Sequence, residues 1–303
     1  AAAAPRAVSP LLVRPVLPAL LRLAAPGTAG ALVMVMPILV EAWRLGALGG
    51  GALAGVALVF PVYMLQTMLS AGAIGGAVSG AVARAAGAGD DAGAEAVARS
   101  AVVIALGGGA VMSLLVLGLG RPLFRLLGGE GAVLDLAVAY AGALFPWIAA
   151  VWLFNMLSGV LRGAGDMLRP LAAISLVAGL HLALSGPVIL GGAGPTGAAR
   201  LLAGAFGTGL LVILAFLAAP GARVRLRPGR VDWRLTRRLL ATGLLAGSQS
   251  MMTVAVSLVV TGFAARFGPA VLAGYGIGAR VELAMVPLIF GVGGAALALG
   301  GAA

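Results

Sequence analysis

A few ionisable and polar side chains stand inside long apolar runs of this sequence, where acid–base or ion chemistry would be shielded from water. Glu41 is the only ionisable residue between Arg22 and Arg44. A carboxylate at the centre of a bilayer costs roughly 2.5–3.5 kcal/mol, so one that persists there is a candidate functional group. His181 lies in another apolar run, with Ser185 one helical turn further along the same face. Because a histidine gains or loses a proton near neutral pH, His181 is a candidate proton site.

Glu41 and His181 each have a second, less functional interpretation. Arg44 is three residues after Glu41, so a surface ion pair on one helix face would also account for the carboxylate. Pro37 favours the buried alternative, because a proline has no N–H and leaves the carbonyl of Val33 without its usual helical partner. A kinked helix beside a carboxylate predicts a polar spot that faces a cavity. His181 could instead bond a neighbouring backbone carbonyl.

Two further polar residues lie inside apolar runs. Asn155 is predicted to hydrogen-bond between helices, as amides within membrane spans commonly do. Glu282 follows Arg280 by two residues, a spacing that puts the two side chains on different helix faces and argues against a direct pair.

The sequence lacks the residue sets that enzymes and metal sites require. It contains no cysteine, no Ser-His-Asp set, no HExxH motif and no paired catalytic carboxylates. Gly192, Gly194 and Gly197 match a dinucleotide-binding pattern, but no acidic residue follows at the required distance, so the stretch is predicted to be a turn. We therefore expect neither enzymatic activity nor a cofactor or metal.

The composition indicates a membrane protein made of helices. Hydrophobic residues make up 61% of the chain, charged residues only 10%, and the mean hydropathy is +1.12, whereas about a quarter of a soluble domain is charged. A membrane helix needs roughly 20 mostly apolar residues, and a strand barrel would show short alternating segments instead. The predicted spans are about 17–44, 50–83, 96–120, 133–160, 168–190, 197–219, 236–263 and 271–299.

The arginines predict the orientation of these spans. With the N-terminus in the cytoplasm, most of them fall on the inner side, as membrane proteins prefer. The outer side then carries only Arg44, Arg121, Arg125, Arg200 and Arg266. This distribution explains the net charge of +11 by topology and headgroup attraction, without nucleic-acid binding. Because all 20 basic residues are arginine, the codon bias suggests a GC-rich bacterial genome and a bacterial inner membrane.

Local motifs add two structural expectations. The stretch "LRGAGDMLRP" predicts a tight turn in which Asp166 caps the following helix. Gly72, Gly76 and Gly80 lie on one face of the second span, a spacing that predicts close helix packing.

An internal repeat predicts two lobes. The tripeptide "LAG" recurs at residues 53–55 and 272–274, an offset of 219 that also relates Gly72 to Gly291 and Gly75 to Gly294. Because six spans separate the copies, both have the same orientation, as in transporters built from parallel repeats. The predicted regions are a cytoplasmic tail (1–16), a six-helix N-lobe (17–219), a cytoplasmic linker (220–235) and the start of a C-lobe (236–303). A complete second lobe would extend the chain by roughly 140 residues, so we expect a fragment.

Four stretches together resemble the multidrug and toxic compound extrusion (MATE) family: "VEAWRLGALGGGALAGVALVFP", "MLSAGAIGGAVSGAVARAAGAGD", "LRGAGDMLRP" and "LAGYGIGARVELAMVPLIFGVGG". The resemblance implies twelve helices in two six-helix lobes around a central cavity. It also implies export of small organic cations in exchange for protons or sodium, and we expect a monomer in the bilayer.

The resemblance places Glu41 where many members carry a coupling aspartate in the first helix. Members often have an Asn and an Asp in the fifth helix, where this chain has His181 and Ser185, and sodium-coupled relatives often have an acid in the seventh helix, where this chain offers Gln249. These departures favour protons over sodium. The predicted ion-coupling and substrate cavity comprises Glu41, His181, Ser185, Asn155, Gln249 and Glu282, with proline kinks at Pro26 and Pro37 in the first span.

Two alternatives stay open at this stage. The chain could be a non-transporting remnant or a membrane interaction module, because alternating access needs both lobes. It could also be a lipid-linked sugar flippase of the same superfamily, although such a protein is expected to line its cavity with more cationic residues than this sequence suggests.

Overall fold

The computed structural model of the chain describes residue 33 and residues 35–282. Predictions that concern residues 1–32 or 283–303, including the kink at Pro26, lie outside this range. Within it, the regular elements are helices, which confirms the predicted fold class. The helices are α1 (35–47), α2 (Gly50–Thr67), α3 (Ile74–Gly87), α4 (Asp91–Leu126), α5 (Gly131–Leu144), α6 (Ile148–Gly163), α7 (Leu168–Val188), α8 (Gly194–Ala218), α9 (Trp233–Ala265) and α10 (from 269).

Several of these helices join into long membrane-crossing segments. Gly50–Gly87, Asp91–Leu126, Gly131–Gly163 and Leu168–Ala218 are long and apolar enough to cross a bilayer, and Trp233–Ala265 qualifies when its two halves, bent by 43°, count as one span. The fourth segment has 51 residues, far more than the roughly 20 that one crossing needs. It breaks at Gly192, whose φ is 103°, and α7 packs against α8, so it makes two antiparallel crossings.

The turns predicted from local motifs are confirmed. Asp166 accepts a hydrogen bond from the backbone N–H of Arg169 at 3.1 Å and pairs with the Arg169 guanidinium at 3.3 Å. Gly192 and Gly194 both have positive φ, at 103° and 56°, so the glycine motif forms the turn between α7 and α8 rather than a nucleotide site.

The repeat has a structural counterpart in two short turns. Gly49 lies between α1 and α2 with φ 112°, and Gly268 lies between α9 and α10 with φ 97°. Their sequence numbers differ by 219, the offset found in the sequence. Both positions need the left-handed region that glycine reaches without strain, so the repeat preserves a backbone conformation and not only a few letters.

Helix α6 forms the centre of the described bundle. Most of its residues are buried, and it packs against α3, α4, α7 and α8. Glycines let it approach α3 closely, because a Cβ on Gly159 would stand 2.9 Å from the carbonyl oxygen of Gly75, and one on Gly163 would stand 2.8 Å from Cβ of Val82. Glycine is needed at these positions for the backbones to approach so closely.

The glycine face predicted in the second span is therefore wrong within the described residues. A Cβ on Gly72 or Gly76 would meet no heavy atom within 4 Å, and one on Gly80 would meet only Arg84 of the same helix. Close packing instead involves Gly75 and Ser79, which face α6. The cause is local, because Met68–Ala73 forms a π-helical segment that breaks the four-residue rhythm from which the prediction was made.

The stretch between α8 and α9 is irregular and is held against the ends of neighbouring helices. Arg223 donates a hydrogen bond to the carbonyl oxygen of Ala164 at 3.2 Å, and Arg227 lies 3.6 Å from the carboxylate of Glu95. Asp232 then caps α9 by accepting hydrogen bonds from the backbone N–H groups of Arg234 and Leu235, at 2.9 and 3.1 Å.

Candidate functional site

Three helices bring a carboxylate, a phenol and an imidazole together in the interior. Glu41 on α1 is 7% exposed, Tyr140 on α5 is 5% exposed and His181 on α7 is 1% exposed. The Tyr140 hydroxyl donates a hydrogen bond to Oε1 of Glu41 at 3.1 Å, and Nε2 of His181 lies 2.8 Å from Oε2. The two oxygens of one buried carboxylate thus face two different polar partners.

The Glu41–His181 contact is an ion-pair contact rather than a well-aligned hydrogen bond. Its 2.8 Å separation is short, but the ring N–H does not point squarely at the oxygen, and Nδ1 has no hydrogen-bond partner in the part of the chain that the structure describes. A buried polar atom without a partner is unusual. The imidazole and the carboxylate therefore form one closely spaced buried pair.

A buried guanidinium supplies a positive charge nearby. Arg280 on α10 is 2% exposed and stacks over the ring of Phe60 on α2, with Cζ 4.9 Å from the ring centroid. It lies within electrostatic range of Glu41 but outside ion-pair distance, and its Nη1 has no hydrogen-bond partner among the described residues. Because charges interact more strongly away from water, Arg280 helps to offset the cost of burying the Glu41 carboxylate.

The two interpretations of Glu41 are now decided. No nitrogen of Arg44 lies within ion-pair distance of Glu41; Arg44 instead donates hydrogen bonds to the carbonyl oxygen of Leu182, at 2.9 Å, and to the hydroxyl of Ser185. The surface ion pair is therefore wrong, and a buried carboxylate is the observed arrangement. The alternative for His181 is also wrong, since its close partner is a carboxylate rather than a backbone carbonyl.

The other predicted cavity residues do not all join this site. Ser185 is fully buried one turn beyond His181 and is held by Arg44. Asn155 forms a separate contact, donating a hydrogen bond to the hydroxyl of Ser70 at 2.8 Å, as predicted for an interhelical amide. Gln249 and Glu282 have exposed side chains within the described range, so the structure does not bring them to Glu41. Pro37 is buried within α1, four residues before Glu41.

The Asn155–Ser70 bond gives a modest stability prediction. Asn155→Leu removes the amide and leaves the Ser70 hydroxyl without this partner. Interhelical hydrogen bonds in membranes contribute about 0.6 kcal/mol on average and rarely more than about 1.7. We expect a loss within that range in unfolding from detergent micelles, with Thr208→Val as the control, since its hydroxyl bonds only its own helix. A loss well beyond it would mean that Asn155 also supports another contact.

Sequence reasoning missed Tyr140 and Arg280. Tyr140 gave no signal, because a phenol in an apolar helix is equally compatible with ordinary packing. Arg280 did give one: it is an ionisable residue inside a predicted span, and the cost argument that singled out Glu41 applies to it as well. Its partner could not be found from spacing, because Glu41 lies 239 positions earlier in the chain.

The donor set around Glu41 suits a proton better than a metal cation. Its neighbours are an imidazole nitrogen, a guanidinium and a phenol, whereas hard cations prefer several oxygen ligands. The Ser185 hydroxyl, one turn further along α7, is already engaged by Arg44. The described residues outside 283–303 contain no group of three or more potential metal-binding side chains.

Comparisons with known proteins point to one family. The MatE family model matches residues 29–185. Among solved structures, an inward-facing multidrug resistance MATE family transporter of the MOP superfamily is 27% identical with a TM-score of 0.80, over 90% of this chain and 64% of its own. A MATE in the bent conformation is 29% identical with a TM-score of 0.78, over 96% and 66%.

An outward-facing MATE family transporter is 27% identical with a TM-score of 0.77, over 99% of this chain and 67% of its own. The chain therefore spans about two thirds of the length of these transporters. No curated protein sequence matches it significantly.

Proposed function

Because the chain belongs to the MatE family, we propose that it is part of a secondary active antiporter that exports small organic cations in exchange for protons. The observation that carries this proposal is the buried Glu41 carboxylate with His181 at 2.8 Å. It is joined by similarity to transporters solved in both inward- and outward-facing conformations, the two states that alternating access requires.

The proposed mechanism is competition for Glu41. In the unprotonated site, the negative charge of Glu41 attracts a cationic substrate from the cytoplasmic side. A proton from outside then binds the Glu41–His181 pair and removes that attraction, so the substrate leaves outward. The two lobes rock, and the proton is released to the cytoplasm. Arg280 is close to Glu41, so every further positive charge in the site is repelled by its guanidinium. Simultaneous binding of a proton and a cationic substrate is therefore unfavourable.

The polar neighbours of Glu41 support protons over sodium as the coupling ion. His181 and Arg280 present nitrogen atoms, and Arg44 occupies the hydroxyl of Ser185 that an oxygen-coordinated ion would use. The remaining parts of the proposal follow the charge distribution and the repeat: a bacterial inner membrane with the N-terminus inside, a six-helix N-lobe over 17–219, a linker over 220–235, and a monomer as the working unit.

The direct test is substrate-induced proton release. Ethidium is added to the purified complete protein in weakly buffered detergent solution, and a pH indicator records the protons displaced. We expect about one proton for each ethidium bound, equally with and without sodium, and none from Glu41→Gln. Ethidium binding without proton release, or binding that requires sodium, would contradict proton coupling.

His181 gives a sharper pH prediction. His181→Gln keeps a hydrogen-bonding side chain beside Glu41 but removes the imidazole, which is the second proton-binding group of the pair. Efflux should continue while its dependence on outer pH becomes flatter. Initial rates of ethidium efflux from proteoliposomes, measured across outer pH 5.5–8, give the profile. A profile identical to that of the original protein would remove His181 from the coupling group.

A further inference from the structure

Helices α1 and α7 touch through two successive pairs of polar side chains. Glu41 meets His181, and one turn further along both helices Arg44 meets Ser185. The first pair is the proposed proton site. The second is not used by the mechanism above, although Ser185 is fully buried and Arg44 half-buried.

Arg44 makes a two-point contact with α7. Its Nη1 donates to the carbonyl oxygen of Leu182 at 2.9 Å and also to the hydroxyl of Ser185. Leu182 and Ser185 are three residues apart and lie on the same side of α7. Because one nitrogen donates to two acceptors on the same side of α7, the contact restricts both the rotation and the height of α1 relative to α7.

The surface of α7 is shaped to receive this guanidinium. Beside Ser185 stands Gly186, and a Cβ at that position would lie 3.4 to 3.6 Å from Cζ, Nη2 and Nε of Arg44. These are ordinary van der Waals separations, so the guanidinium lies against the face of α7 that carries Ser185 and Gly186. No carboxylate of the described residues lies within ion-pair distance of Arg44, since the recorded ion pairs of this range involve other arginines.

Resting on the function proposed above, we propose that Arg44 is a positioning residue for the proton site. It fastens α1 to α7 one turn beyond Glu41, so that the carboxylate and the His181 imidazole are held at pairing distance. Tyr140, Arg280 and Tyr63 also face Glu41, but they belong to α5, α10 and α2 and do not tie α1 to α7. Arg44 thus acts on the site by setting the position of α1 relative to α7, and it does not contact Glu41 itself.

The test compares three variants. Arg44→Met removes the guanidinium, and Ser185→Ala removes one of its two acceptors while Arg44 keeps its charge. Arg121→Met is the matched control, because Arg121 is another arginine on the predicted outer side whose ion pair with Asp135 is solvent-exposed. Efflux of ethidium driven by a proton gradient is measured in proteoliposomes over a range of outer pH, together with the Arg44→Met/Ser185→Ala double variant.

We expect Arg44→Met and Ser185→Ala each to slow proton-driven efflux about tenfold, as a small misplacement of a reacting group does, and to shift the pH profile in the same direction. The double variant should be no slower than Arg44→Met alone, because both changes break one contact. Arg121→Met should match the original protein. Effects that multiply in the double variant, or an unaltered pH profile in Ser185→Ala, would overturn the proposal. If the Arg44→Met protein does not insert in the membrane, Ser185→Ala alone tests the positioning role.

A second readout does not depend on transport. This part of the protein has no cysteine, so, once any cysteine elsewhere in the complete protein has been replaced, Leu48→Cys and Leu190→Cys supply a cross-linking pair at exposed positions beyond the Arg44 contact. Arg44→Met and Ser185→Ala should slow cross-linking by short bifunctional maleimides several-fold, and Arg121→Met should not. Unchanged cross-linking in both would overturn the positioning role. If Glu41→Gln retained proton-driven efflux, the proposed function would fail, and the cross-linking result would still report on Arg44.

Discussion

Glu41→Gln is expected to reduce proton-driven efflux to the background of empty vesicles while the protein still inserts in the membrane. Glutamine has nearly the same shape and can accept the hydrogen bond from Tyr140, so the packing around position 41 should survive. It cannot bind or release a proton, and it cannot offer a charge to a cation. The measurement is ethidium efflux from proteoliposomes under an imposed pH gradient, with insertion checked by resistance to alkaline extraction.

The matched control for this variant is Glu282→Gln. Glu282 is another acid within a predicted span, but its side chain is exposed within the described range and lies outside the Glu41 site. The control should keep at least half of the original efflux rate. Equal losses in the two variants would indicate a general effect of removing negative charge, and undiminished efflux by Glu41→Gln would rule out the coupling role.

Gly163→Val is expected to produce the largest loss of stability. A Cβ on Gly163 would stand 2.8 Å from Cβ of Val82 and 3.1 Å from the carbonyl carbon of Ser79, so α3 and α6 would have to separate. Overpacking a tight interior costs typically about 1–3 kcal/mol and sometimes more. Thermal unfolding in detergent, followed by size-exclusion chromatography of heated samples, should show a melting temperature lower by several degrees or a protein that no longer folds.

Gly76→Val isolates the packing effect. Gly76 is also inside a helix, but a Cβ there would meet no heavy atom within 4 Å. Both substitutions replace a helical glycine by valine, although Gly163 is the last residue of α6, so a difference larger than about 1 kcal/mol, the range of helix propensities, measures interhelical contact. A Gly76→Val protein as unstable as Gly163→Val would restore the original prediction that the Gly72, Gly76 and Gly80 face is the packing face.

Much of the helical architecture could be predicted from the sequence, because the length and hydropathy of a segment indicate whether it is a membrane helix. The offset of 219 in the sequence repeat also equals the separation of Gly49 and Gly268, which both have positive φ. Glu41 and His181 were found by the cost of burying polar groups in lipid. That principle identifies which residues matter, but it does not say which of them touch.

Pairing within the site could not be predicted, because it depends on how helices pack and not on spacing along one helix. Arg44 was assigned to Glu41 by their separation of three residues, yet its acceptors lie on α7. The same limit applies to span two, where the π-helical segment shifts the packing face. The residue types in Met68–Ala73 do not predict a π-helical segment, because such segments are rare and have no simple sequence pattern.

The π-helical segment Met68–Ala73 makes the length of the chain important at this point. It includes a hydrogen bond from the N–H of Ile74 to the carbonyl oxygen of Leu69, five residues back, so Ser70 and Gly75 meet Asn155 and Gly159 although the spacings are five and four. Deleting one residue from Met68–Ala73 would restore an ordinary helix and rotate everything after it by about 100°, turning Gly75 away from α6. Chain length here therefore matters to the packing as much as residue identity does, and we expect point substitutions to be tolerated where a single-codon deletion is not.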